Sequence, residues 1–116
     1  MATAGTAGQL PLFFMYTSPS LDHGWLCDCP GFAALRESPE GEGLAEVGFR
    51  RALVRHRRRT MSAREATLFY VPLWEYASSR LGSCNGTDHA ARMRLAHHAL
   101  GESTHWRRRQ GADHIW

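Results

Sequence analysis

The hydrophobic positions fall into blocks of different period. The densest block lies within Glu65-Ala66-Thr67-Leu68-Phe69-Tyr70-Val71-Pro72-Leu73-Trp74, the only long run that is apolar on both faces. Such a run predicts a strand buried on both sides, closed by Pro72, which has no N–H to give to a sheet ladder. Leu10 to Tyr16 reads as a second short buried strand, ending in turn chemistry at Thr17-Ser18-Pro19-Ser20. Residues 1–9 are small and aperiodic and predict a loose terminus, and the glycines and prolines of 21–43 predict mostly loop.

Leu44 to Arg59 has helical period. Leu44, Val47, Phe49, Ala52, Leu53 and Val54 share a broad apolar face, opposite Arg50, Arg51, Arg55, Arg57 and Arg58. Glu46 and Arg50 stand at i,i+4 with the acid first, the better order for a pair along a helix. Ser62 and Glu65 have capping-box spacing, so one short helical turn is expected there. Trp74 to Gly86 reads as loop or short helix. Asp88 to Leu100 reads as a helix capped by Asp88, with Ala91, Leu95, His98 and Ala99 on its apolar face. Met93, Ala96 and Leu100 widen that face, and Gly101 is the expected stop. After Gly111, His114-Ile115-Trp116 begins a fresh extended segment, which gives the sequence a truncated look. The order strand, loop, helix, strand, helix, strand start favours an α/β fold with a parallel sheet.

At 116 residues the chain is one small domain or part of a larger one. All fourteen cationic residues are arginine, a bias that reads as GC-rich coding, because no binding mechanism requires the complete loss of lysine. The net charge of +3 is too small to argue for nucleic acid. Arg55-His56-Arg57-Arg58-Arg59 carries no interleaved aromatic for base stacking and reads first as a solvated helix end. No run approaches the roughly 18 apolar residues of a membrane span, and no basic region precedes the first apolar run as a secretory signal requires.

Cys27, Cys29 and Cys84 make an odd count. Cys27-Asp28-Cys29-Pro30-Gly31-Phe32 looks like the tail of an epidermal-growth-factor-like module, but the module's upstream cysteines are missing. Two loop cysteines is the simple reading, with a disulfide or metal role as the alternative, and Cys-x-Cys alone is weak for zinc.

Three blocks in order carry more information than any one of them. Glu46, Phe49 and Leu53 lead into Arg59-Thr60; then comes Glu65-Ala66-x-Leu68-Phe69-Tyr70-Val71-Pro72-Leu73; then Trp106-Arg107-Arg108-x-x-Gly111-x-Asp113-His114-Ile115-Trp116. This arrangement, from about residue 44 to the end, resembles the N-terminal half of exostosin-like glycosyltransferases of the plant and algal type. The chain departs from that pattern at Ser62-Ala63-Arg64 and Thr67, where acidic residues and proline are usual. It also carries Gln110 for a glycine and Ala112 for an arginine. Phe69, Val71, Pro72, Trp106, Arg108, Gly111, Asp113 and His114 match.

The resemblance implies a type II membrane enzyme of the Golgi lumen that moves a sugar from a nucleotide sugar to a polysaccharide or glycoprotein glycan. The implied fold is the N-terminal half of a GT-B pair of Rossmann-like domains. Residues 44–116 would be a partial Rossmann-like domain, and 1–43 a loosely structured segment with a short strand and the Cys-x-Cys loop. The nucleotide sugar would bind a C-terminal half that is not in this chain, so these residues hold no cofactor and are expected to be inactive alone. The partners implied are a glycan acceptor and that missing half, with a membrane reached only through an anchor outside this sequence. Asn85-Gly86-Thr87 is a glycosylation sequon holding the chain's single asparagine, which agrees with a luminal address. That address would also allow Cys84 to bond Cys27 or Cys29.

Ligands of open parallel sheets gather at the carboxyl ends of the strands, which nominates Trp74, Glu75 and Tyr76 for a sugar cleft. Ordinary packing for the two rings and solvation for Glu75 is the competing expectation. Asp113 and His114 start their strand at the opposite end, so a structural role is expected, with Asp113 accepting from backbone N–H groups, Arg107 or Arg108. A triad of Asp113, His114 and a serine is not expected, because neighbours on a strand face opposite ways. His97, His98 and His105 lack the geometry and carboxylate partners for a metal. No phosphate-binding glycine loop is present, and no catalytic residue is nominated. Two other expectations stand beside the transferase: a small arginine-rich module for anionic glycans or nucleic acid, and a gene fragment that does not fold.

Overall fold

The computed structural model describes residues 11–38 and 42–116, with backbone only for 42–44, so the expectation of a loose terminus at 1–9 lies outside the described residues. Three strands, β1 (Phe13–Met15), β2 (Leu68–Tyr70) and β3 (His114–Ile115), form one all-parallel sheet in the order β1-β2-β3. The aromatic run is its middle strand, as its two-sided hydrophobicity predicts. The fold is α/β, and its parallel sheet with helices on both faces is compatible with part of a Rossmann-like domain.

Register sorts the side chains. Phe14 stands beside Phe69 and Phe69 beside His114, so this row and the residues two further on (Tyr16 and Val71) share one face. That face packs on Ala96 and Leu100 of helix α4 (His89–Glu102) and on Trp106 of α5 (Thr104–Arg109). Phe13, Met15, Leu68 and Tyr70 take the other face, under Leu53 and Val54 of α2 (Glu42–Val54). Ile115, on that second face, stays 44% exposed.

Beyond the strand ends lies a second core of Leu26, Phe32, Val47, Trp74, Ala77 and Leu81. Its source corrects the expectation that 21–43 is mostly loop: residues His23–Asp28 form a 3-10 helix and Phe32–Arg36 a short helix, α1. Asp22 organises this segment. It caps the 3-10 helix through Gly24 N–H at 2.9 Å and takes a two-pronged ion pair from Arg50 at 2.9 and 2.7 Å. An added Cβ at Gly24 would stand 2.9 Å from the Arg50 guanidinium carbon, so a larger residue there would have to displace Arg50 from its place on Asp22.

Three further expectations are corrected. Helix α2 ends at Val54, not Arg59, because the chain must turn to lay Arg59 beside Phe13: Phe13 N–H donates to Arg58 O, and Thr60 N–H to Phe13 O. The Glu46–Arg50 pair does not form, since Arg50 goes to Asp22 and Glu46 goes to another helix. In α4 the buried line is Arg92, Ala96 and Leu100, at strict i+4 spacing. Leu95 and His98 are exposed, and the helix continues through Gly101 to Glu102. Ser62 does precede a 3-10 turn (Ala63–Glu65), but without a side-chain cap.

Candidate functional site

At the carboxyl ends of β2 and β3 a cleft of about 370 Å³ opens between the sheet and α4. Leu73 and Glu75 reach it from the segment after β2, Trp116 from the residue after β3, His97 and Leu100 from α4, and Trp106 from α5. The rings of Trp106 and Trp116 stand 5.7 Å apart and 35° from parallel, so the cleft offers two indoles at one wall. Glu75, exposed in the first turn of α3 (Glu75–Arg80), supplies a carboxylate. Aromatic faces beside a carboxylate suit a sugar: the rings pack on C–H faces and the acid accepts from hydroxyls.

Of the three residues nominated for this cleft, only Glu75 lines it. Trp74 is 2% exposed and stacks on Phe32 at 6.0 Å, on the far side of the chain. Tyr76 is half-buried, with the Arg80 guanidinium 5.8 Å over its ring. Successive residues diverge here because α3 starts at Glu75, and its helical twist separates neighbours by about 100°. His97 and Trp116 also line the cleft, and local sequence gives no sign of it: His97 stands on an exposed helix face and Trp116 in a short extended segment.

The matched motif residues, although separated by more than thirty positions in sequence, pack largely as one unit around Phe69. That ring is fully buried, stacked against His114 at 4.8 Å and His105 at 5.2 Å, with the Arg108 guanidinium 6.0 Å above it. Trp106 meets His114 edge-on at 4.9 Å. Gly111 lies beneath Trp106 at φ 80, where an added Cβ would clash with the indole. Gln110 is also left-handed, at φ 53, in the place where the resembled pattern has a glycine. Val71 and Pro72 continue the buried run, and Pro72 O accepts from His23 N–H at 2.9 Å.

Asp113 and His114 do not face apart. Asp113 belongs to the turn before β3, so the alternation of a strand does not govern it, and its Oδ1 lies 2.9 Å from His114 Nδ1. His114 Nε2 is 2.8 Å from the Tyr16 hydroxyl, which is 2.8 Å from Ser103 Oγ. Neutral imidazole satisfies the whole chain: Nδ1–H donates to Asp113, and Nε2 accepts from Tyr16. Burial lowers the His114 pKa, against the opposing pull of Asp113, and burial raises that of Tyr16. The His114 side chain has no exposed surface, so this network fastens β1, β3 and α5 together and does not open to a substrate.

Cys29 and Cys84 form a disulfide, and Cys27 is free and exposed. The sequon follows at once. Asn85 (φ 51) and Gly86 (φ 75) are both left-handed, as a type I′ turn requires, between the bridged pair Cys84 and Thr87. Asn85 is exposed at the tip.

Among the described residues no group of His, Cys, Asp or Glu is arranged to hold a metal ion, and no helix is long and apolar enough to cross a membrane. No protein-family model matches the chain, and no curated protein or solved structure matches it either.

Proposed function

We propose that this chain is the acceptor-side portion of an exostosin-like glycosyltransferase, the N-terminal half of a GT-B enzyme working in the Golgi lumen, and that the cleft between Glu75 and the two indoles receives the glycan. The observation that carries the reading is the cleft's position and lining: paired tryptophans and one carboxylate at the carboxyl ends of adjacent parallel strands, where such sheets bind ligands. Further support comes from the packing of the matched residues around Phe69, and from the left-handed backbone at both Gln110 and Gly111, where the family pattern has two glycines. The Cys29–Cys84 disulfide and the exposed Asn85 suit an oxidising, glycosylating compartment.

In the resembled family the nucleotide sugar is held by the other half, so on this reading residues 1–116 bind glycan without turning over any nucleotide sugar. The test is a titration of neutral xylo-, gluco- and galacto-oligosaccharides followed by tryptophan fluorescence. Saturable quenching is expected with at least one series, weakened about tenfold by Trp116→Ala and reduced by Glu75→Gln. Absence of saturation across all three series, or turnover of a nucleotide sugar by this chain alone, overturns the proposal.

A further inference from the structure

A second groove, of about 390 Å³, lies between α2 and the 3-10 helix, away from the indole cleft. Gly24 and Cys27 form one wall, Arg50, Arg51 and Arg55 the other, and Trp74 also lines it. The arginines are not equivalent. Arg50 is held by both oxygens of Asp22. Arg51, in the last turn of α2, and Arg55, in the turn just after it, have no hydrogen-bond or ion-pair partner among the described residues.

Trp74 supplies an independent sign. Its indole Nε1 is buried and has no hydrogen-bond partner among the described residues, although the side chain lines this groove. A buried donor left unmade is unfavourable and needs a reason. A buried donor without an acceptor, in a residue that shares its groove with two guanidinium groups lacking a carboxylate partner among the described residues, suits an anion. Val47 and Val54, also in the lining, give a carbon skeleton an apolar surface to rest on.

We infer that this groove is an oxyanion site, in which Arg51 and Arg55 pair with a carboxylate, sulfate or phosphate group of a small ligand. Planar guanidinium groups match the geometry of those anions with two parallel hydrogen bonds each. The Arg50–Asp22 pair forms part of the wall: Asp22 engages Nε and Nη2 of Arg50, which fixes that guanidinium in place beside the groove. The inference is independent of the sugar cleft and survives if that cleft proves empty of function.

The experiment follows the Trp74 indole N–H resonance of the whole chain during separate titrations with inorganic phosphate, inorganic sulfate and glucuronate. A saturable shift with any of them is expected, weakened about tenfold in Arg51→Gln/Arg55→Gln. Both residues are exposed, so the variant should fold, and a cooperative melt confirms it. Arg55→Glu is a second variant and should abolish the shift. Tighter binding of glucuronate identifies a carboxylated sugar as the source of the anion, and tighter binding of an inorganic anion identifies a free or ester phosphate or sulfate. No saturable shift with any probe, or unchanged affinity in the folded double variant, overturns the inference.

Discussion

Glu46, on α2, accepts the backbone N–H groups of Tyr76 and Ala77 at 3.0 and 2.9 Å, and so caps a helix thirty residues away. The first residue of that helix is Glu75, the carboxylate that lines the cleft between the sheet and α4. Trp74, at the N-cap position, offers no side-chain cap of its own. The cap that sets the direction of α3 is therefore imported from α2, and it ties the cleft to the opposite face of the sheet.

Replacing Glu46 with Ala is expected to lower stability by about 1–2 kcal/mol, the range for losing a helix cap, read as a lower denaturation midpoint. Burial raises the Glu46 carboxyl above its ordinary 4.5, against the two N–H bonds that pull it down. The folded chain thus holds this proton more tightly than the unfolded chain. The stability it contributes is greatest below 4.5 and declines as pH rises through the folded value. Glu46→Gln should remove that decline while keeping one acceptor, and an unchanged pH profile would count against the assignment.

Gly111→Ala should be costly. The residue is left-handed and its new methyl would meet Trp106, so a loss of about 3 kcal/mol is expected, with altered near-ultraviolet dichroism from the displaced indole. Gln110→Gly, next to it, should move the other way by up to about 1 kcal/mol, because it relieves a left-handed backbone. Equal effects at the two positions would contradict this geometry.

The Cys29–Cys84 bridge closes a separation of 55 residues and joins the second core to the sequon turn. Chain entropy gives such a loop about 4 kcal/mol. Cys29→Ser/Cys84→Ser, or reduction of the wild type, should lower the melting temperature sharply, while Cys27→Ser leaves it unchanged. A reduced protein that melts like the oxidised one would refute the bridge.

His23 and His114 are both buried, and burial lowers both from the ordinary 6.5. Below that value the unfolded chain takes up protons that the folded chain refuses. The stability these residues contribute is therefore present above 6.5 and is lost as pH falls toward the depressed values. Denaturation midpoints should drop between about pH 7.5 and about pH 5, and His114→Gln should shrink that drop by up to one proton's worth of slope. A steeper profile in the variant would reverse the assigned sign.

Much of the site was legible one element at a time. Pro72 after an apolar aromatic run announced the middle strand, and Asp88 announced the start of α4; each is local chemistry. Arg92 was not legible. It is 1% exposed and gives its guanidinium hydrogens to Ser78 O and Oγ, Gly82 O and Thr87 O, with no carboxylate partner among the described residues. Its i+4 alignment with Ala96 and Leu100 was the available signal, but a charged residue in that row reads as surface until the carbonyls that receive it are located.

The sequence by itself determined the alternation of strands and helices and the middle place of the Phe69 run. Backbone sterics and hydrophobic period are properties of neighbouring residues, and neighbours are what a sequence displays. Tertiary structure decided which partner each charge took: Arg50 chose Asp22 over Glu46, Glu46 chose the N–H groups of α3, and Trp74 and Glu75 parted to opposite grooves. Those outcomes depend on distances between segments far apart along the chain, where several pairings satisfy the same local rules and only packing selects one.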